Sequence, residues 1–151
     1  MKEPSMLTRL VSGLGIVAVL LLATAYAADA VKLDGINCLV AGNKPAKAEN
    51  AVDYKGGKVY FCCMNCPKAF AADKAKFAAK ANFQLAATKQ AKQVKCPLSG
   101  EDVDSAQSIK VSGVDVAFCC GMCKGKAEAE KDQVALLFGD KTFDKAFKVG
   151  K

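Results

Sequence analysis

Histidine and tryptophan are both absent from this chain, and aromatic residues make up only 7% of it. Without histidine, the commonest catalytic zinc ligand and the usual general base are missing, which argues against a hydrolase. With no stripe of basic residues interleaved with aromatics, the net charge of +7 reads as a solvated lysine face, and no nucleic-acid partner is expected. Large core residues are scarce too, because much of the 52% hydrophobic content is alanine or sits in the N-terminal stretch. What the chain does have is eight cysteines, clustered in two short regions. Such a composition supports small folding units that depend on a metal or on disulfides more than on core burial.

Lys2 and Arg9 precede an uncharged run from Leu10 to Ala28, which ends in Ala25-Tyr26-Ala27 followed by Ala28. A basic flank, a short apolar centre and a small-x-small end compose a secretory signal peptide, with cleavage expected after Ala27. The rival is an uncleaved anchor helix, since the run is long enough to span a bilayer. Ser12, Gly13, Gly15 and Thr24 dilute it and favour cleavage; only an uncleaved segment would put this protein on a membrane. An exported location, periplasmic or extracellular, follows either way. Thiols there meet oxidants, and an even cysteine count then makes disulfides the rival of metal binding.

The remainder repeats itself. Cys38-Leu39-Val40-Ala41-Gly42 recurs as Cys96-Pro97-Leu98-Ser99-Gly100, 58 residues later, and the stretch from Val59 to Cys66 recurs as Val116 to Cys123, 57 residues later. All eight cysteines fall at matching places, four per copy, with one residue of difference in a loop. Residues 1–27 are therefore expected to be a signal peptide, 31–82 a first module, 83–94 a helical connector and 95–151 a second module. In each copy a cysteine turn leads into a β-hairpin. Ala51–Tyr54 and Val59–Phe61 flank a Gly56-Gly57 turn, and Ser108–Val111 and Val114–Phe118 flank Ser112-Gly113. A cysteine cluster and a helix follow. The first helix is expected from Pro67 to Phe77, with Phe70, Phe77 and Ala81 on one face. The second is expected from Lys124 to about Lys131, with a last short helix over Phe143–Phe147. The fold class is α+β.

This order puts each cysteine cluster at a helix N-terminus, where free amides and the helix dipole favour thiolates. Folding back along the hairpin lets Cys38 meet Cys62, Cys63 and Cys66, and lets Cys96 meet Cys119, Cys120 and Cys123. Four sulfurs suit the tetrahedral preference of zinc, and soft thiolate sets also suit copper(I). The expected cofactor is one such ion per module. Met64 and Met122 lie inside the clusters, either as soft thioether donors or as gap-fillers.

Cys38-x23-Cys62-x3-Cys66 and Cys96-x22-Cys119-x3-Cys123, with Val59-Tyr60-Phe61-Cys62 and Val116-Ala117-Phe118-Cys119 before the clusters, resemble the TRASH/YHS-type modules. The two matching stretches take up most of the chain beyond the signal segment. The resemblance implies two tandem treble-clef-like modules and a role in heavy-metal binding, sensing or trafficking, with no catalysis. Members of that family often carry a second cysteine in the first turn, where this chain has Ala41 and Ser99. Unless Cys63 and Cys120 replace it, each site is a three-thiolate set with one open position.

The expected function is extracytoplasmic metal handling or sensing by a protein that is not an enzyme, with a metal-transport or sensor protein delivering or receiving the ion. Three alternatives stand beside it. Two disulfides per copy would staple an exported domain, although adjacent cysteines crowd the geometry for bridges. Cys63-x-x-Cys66 and Cys120-x-x-Cys123 would be exchange-active thiol pairs. A purely structural zinc would make each unit a scaffold for protein contacts.

Overall fold

The computed structural model describes residues 31–150, so the expected signal segment lies outside the described residues. The architecture is mixed α+β, and the duplication is visible in its hydrogen bonding. Strand β1 (Lys47–Tyr54) pairs antiparallel with β2 (Gly57–Phe61), and helices α1 (Asn65–Ala72) and α2 (Lys74–Ala87) follow. After the short strand β3 (Ala91–Gln93) comes the second hairpin, β4 (Asp104–Val111) with β5 (Val114–Phe118). Helices α3 (Gly121–Ala129), α4 (Gln133–Phe138) and α5 (Asp140–Ala146) and strand β6 (Phe147–Val149) complete the chain. Among the described residues no helix is long and apolar enough to cross a membrane.

Both hairpins share one register. Lys47 pairs with Phe61 and Ala51 with Tyr60 across an irregularity, just as Asp104 pairs with Phe118 and Ser108 with Ala117. The extra residue of the first copy lies before the strands. The amide of Cys38 bonds to the carbonyl of Lys44 as that of Cys96 bonds to Glu101, so Asn43, just after the Gly42 turn, is the insertion.

The first turn is not the Gly-Gly pair read from the sequence. Lys55 (φ 49°) and Gly56 (φ 87°) are its two central residues, and Gly57 already pairs with Tyr54. Two left-handed residues make the tight turn whose twist matches antiparallel strands. Ser112 (φ 46°) and Gly113 (φ 93°) do the same in the second hairpin, as expected.

The first helix is also two helices. Asp73 interrupts it, and the Asp73 carboxylate accepts from the amide of Lys76 to start α2 afresh, as Asp132 accepts from Ala135 to start α4. A side-chain cap of this kind satisfies amides that a continuous helix would have bonded internally. In the second copy Cys120 is extended and its carbonyl accepts from Lys124, so α3 begins at Gly121, earlier than the sequence suggested.

The stretch 83–94 is helical only to Ala87. The Thr88 hydroxyl bonds back to the carbonyls of Gln84 and Leu85, and Lys89 turns the chain at φ 60°, a helix ending that leaves Ala91–Gln93 free to pair with β6. The two copies are thereby joined in one core. Phe61, Phe70 and Leu85 from the first half and Phe118, Leu137, Phe138 and Phe143 from the second belong to the same buried cluster. Helix α2 packs on α4 and α5, and the side-chain amide of the fully buried Asn82 donates to the Phe138 carbonyl and the Asp140 carboxylate.

Three glutamine side chains close the free edges of the hairpins. Gln84 accepts from the amide of Tyr60 and donates to its carbonyl and to that of Asn37. Gln90 does the same for Lys58, and Gln93 for Ala117. A primary amide presented this way substitutes for the peptide group of a third strand and leaves no exposed edge at those positions.

Candidate metal centre

Each cysteine cluster is assembled from two places in the chain. The first cysteine sits on a turn closed by the glycine amide bonding back to the cysteine carbonyl, Gly42 to Cys38 at 2.7 Å and Gly100 to Cys96 at 2.8 Å. Both glycines have positive φ, 73° and 84°, a conformation that L side chains rarely adopt. The turn aims amides at the sulfur: the Ala41 amide lies 3.5 Å from Cys38 Sγ. The remaining cysteines come from the end of the hairpin and the start of the following helix, held there by Phe61 and Phe118, both fully buried.

The result is two triads. Cys38, Cys62 and Cys66 form one, and Cys96, Cys119 and Cys123 the other, with all sulfurs of a triad within 4.8 Å of one another. Cys62 and Cys66 are 3.6 Å apart, and Cys119 and Cys123 are 3.7 Å apart. Zinc–thiolate bonds of about 2.3 Å at tetrahedral angles place sulfurs roughly 3.8 Å apart. The observed spacing fits that demand, so each triad can hold a metal ion, one per copy.

Cys63 and Cys120 stand outside the triads. Cys63 is exposed and reaches only Cys66, at 3.5 Å, while Cys120 reaches Cys119, at 3.6 Å. Ala41 and Ser99 stand three residues after the turn cysteines, and the Ser99 hydroxyl lies 3.2 Å from Cys119 Sγ. Met64 and Met122 are 69% and 80% exposed, so neither fills a gap in the core. Tyr60, Phe61 and Phe118 are buried core residues.

Protonation follows the same order in both copies. Burial pushes the Cys38 thiol up, but the amides of Ala41, Cys62 and Val40 outweigh it and hold it below the usual thiol value. Cys96 is buried likewise and ends at about 6, through the Ser99 hydroxyl and the amides of Ser99, Cys119 and Leu98. Burial raises the last cysteine of each triad, Cys66 strongly and Cys123 to about 12, and the neighbouring sulfurs add to it. Three converging thiols thus share their first negative charge on the turn cysteine and resist a second. A cation removes that resistance, because it stabilises every thiolate it touches. Outside the first triad, the amides of Asn65 and Cys66 bring Cys63 to about 7.

Compared with protein-family models, with curated proteins and with solved structures, the chain shows no match.

Proposed function

We propose that this protein binds and handles heavy-metal ions outside the cytoplasm, one per cysteine triad, as a tandem pair of TRASH/YHS-type, treble-clef-like modules. The observation that carries this reading is the convergence of three sulfurs, twice, from a glycine turn and a helix start that are otherwise far apart in sequence. Three sulfurs within 4.8 Å of one another suit a shared ion. Soft and borderline ions, copper(I) and zinc, match an all-sulfur set. The Leu10–Ala28 run and the Ala25-Tyr26-Ala27 site support export. Binding and release of an ion require no group that acts on a substrate, so the protein works as a carrier or sensor with a partner that supplies or takes the ion.

The test is anaerobic purification of the protein followed by elemental analysis and thiol titration. About two metal ions per chain, with all eight thiols recovered after chelation, is the expected result. No metal together with no titratable thiol would replace this reading with disulfides.

A second reading has its own observation. Cys63 is exposed, has a thiol brought to about 7, and lies 3.5 Å from Cys66. These are the properties of an attacking thiolate next to a resolving partner. Thiol exchange predicts catalysed disulfide reduction that Cys63→Ala abolishes while metal binding by the triad persists.

A further inference from the structure

The residue three places after the turn cysteine is Ala41 in one copy and Ser99 in the other. The two turns are hydrogen-bonded alike, so the molecule contains its own comparison of a methyl group and a hydroxyl at one position beside a triad. The Ser99 oxygen accepts from the Glu101 amide at 3.1 Å and lies 3.2 Å from Cys119 Sγ. One lone pair is therefore engaged by the backbone, which fixes the oxygen beside the sulfur, and the other is open to an ion once Cys119 has lost its thiol proton. Zinc-type bonds of about 2.3 Å to sulfur and about 2.1 Å to oxygen place the two ligand atoms roughly 3.6 Å apart. The observed separation is within a few tenths of an ångström of that. Ala41 offers no donor atom, so the first copy presents sulfur alone.

We propose that the two triads take different classes of ion: Ser99 Oγ completes the second as a three-sulfur, one-oxygen site for a tetrahedral divalent ion of the zinc class, and the first is a three-sulfur site for a soft monovalent ion of the copper(I) class. This assignment rests on the metal reading above. A borderline divalent ion accepts a mixed sulfur and oxygen set and prefers four ligands. A soft ion favours sulfur and gains nothing from a hydroxyl. Loading either site releases thiol protons to solvent, Ser99 binds as a neutral hydroxyl, and no electron transfer is involved.

The experiment uses the full chain, reduced and anaerobic, with cobalt(II) as the spectroscopic stand-in for zinc and copper(I) delivered from a competing chelator. One cobalt ion with the visible bands of a tetrahedral site is expected, lost in Cys123→Ala and kept in Cys66→Ala, with circular dichroism checking that both variants fold. Ser99 and Ala41 are exposed, so their substitutions leave the fold in place. Ser99→Ala is expected to change those bands and to weaken cobalt and zinc binding by about 10-fold or more, while copper(I) binding to the other copy stays unchanged. Ala41→Ser is expected to strengthen divalent binding in the first copy. Unchanged bands and affinity in Ser99→Ala, or bands that vanish in Cys66→Ala instead of Cys123→Ala, overturn the assignment. Failure of both ions to bind while eight thiols titrate contradicts the metal reading itself.

Discussion

Gly57 marks the closest approach of the first hairpin to the rest of the molecule. A Cβ there would meet Leu85 Cδ2 at 2.8 Å, Gln90 Oε1 at 3.1 Å and Val149 Cγ1 at 3.3 Å. Gly57→Ala is therefore expected to destabilise by about 1–3 kcal/mol, read as a lowered urea midpoint. Gln84 is the polar counterpart. Replacing it with leucine leaves the amide and carbonyl of Tyr60 and the carbonyl of Asn37 without the partners they now have. Each buried unpaired group costs about 1–3 kcal/mol, so the same measurement is expected to show at least about 2 kcal/mol lost. At this scale the cysteines were the legible part: spacing and repetition were enough to bring together all six members of the triads. The failure of Cys63 and Cys120 to join them was open in the sequence, because it depends on how the chain turns between adjacent residues at a strand end. The glutamines were illegible, since nothing in Gln84, Gln90 or Gln93 signals which distant strand edge each will satisfy.

Between elements, the hairpin turns carry the local strain. Ser112 holds a left-handed conformation at φ 46°, which costs a non-glycine residue about 1–2 kcal/mol and asparagine less. Ser112→Asn is expected to raise the melting temperature by a few degrees, and Ser112→Val to lower it. The hairpins themselves were readable from alternation and glycine, whereas the first turn was displaced by one residue because Lys55, not Gly57, supplies the left-handed position. The break at Asp73 was hidden inside a run of strong helix formers. Strands β3 and β6, three residues each, are too short to show a period and exist through their mutual pairing.

The described residues form one core built from two copies, and an ion-pair network ties them across the repeat. Lys55 of the first turn reaches Asp140 at 2.8 Å and Asp144 at 2.6 Å on α5. The Lys55 hydrogen bond holds the Asp140 carboxyl below the usual carboxylate value against the cost of burial, with help from Asn82. Burial and the Asp140 charge push the Tyr54 phenol up to about 12. A depressed carboxyl contributes stability above its unfolded value, and this is lost as pH falls through the folded value. A raised phenol contributes below about 10, lost as pH rises through about 12. Asp140→Asn is thus expected to flatten the acid side of the stability profile, measured by urea midpoints across pH. Because α2 packs on α4 and α5 and Asn82 bonds to Phe138 and Asp140 of the other half, neither copy is expected to fold alone, and fragments 31–90 and 91–150 are each expected to lack a cooperative unfolding transition.

In the proposed metal-bound state, three sulfurs from two distant segments hold one ion in each copy. X-ray absorption at the edge of the bound metal tests it most directly. About three sulfur neighbours per ion at about 2.3 Å, reduced when Cys38 or Cys96 is replaced by alanine, is the predicted result. A shell of nitrogen or oxygen alone, or a sulfur count unchanged by losing the turn cysteines, would contradict it.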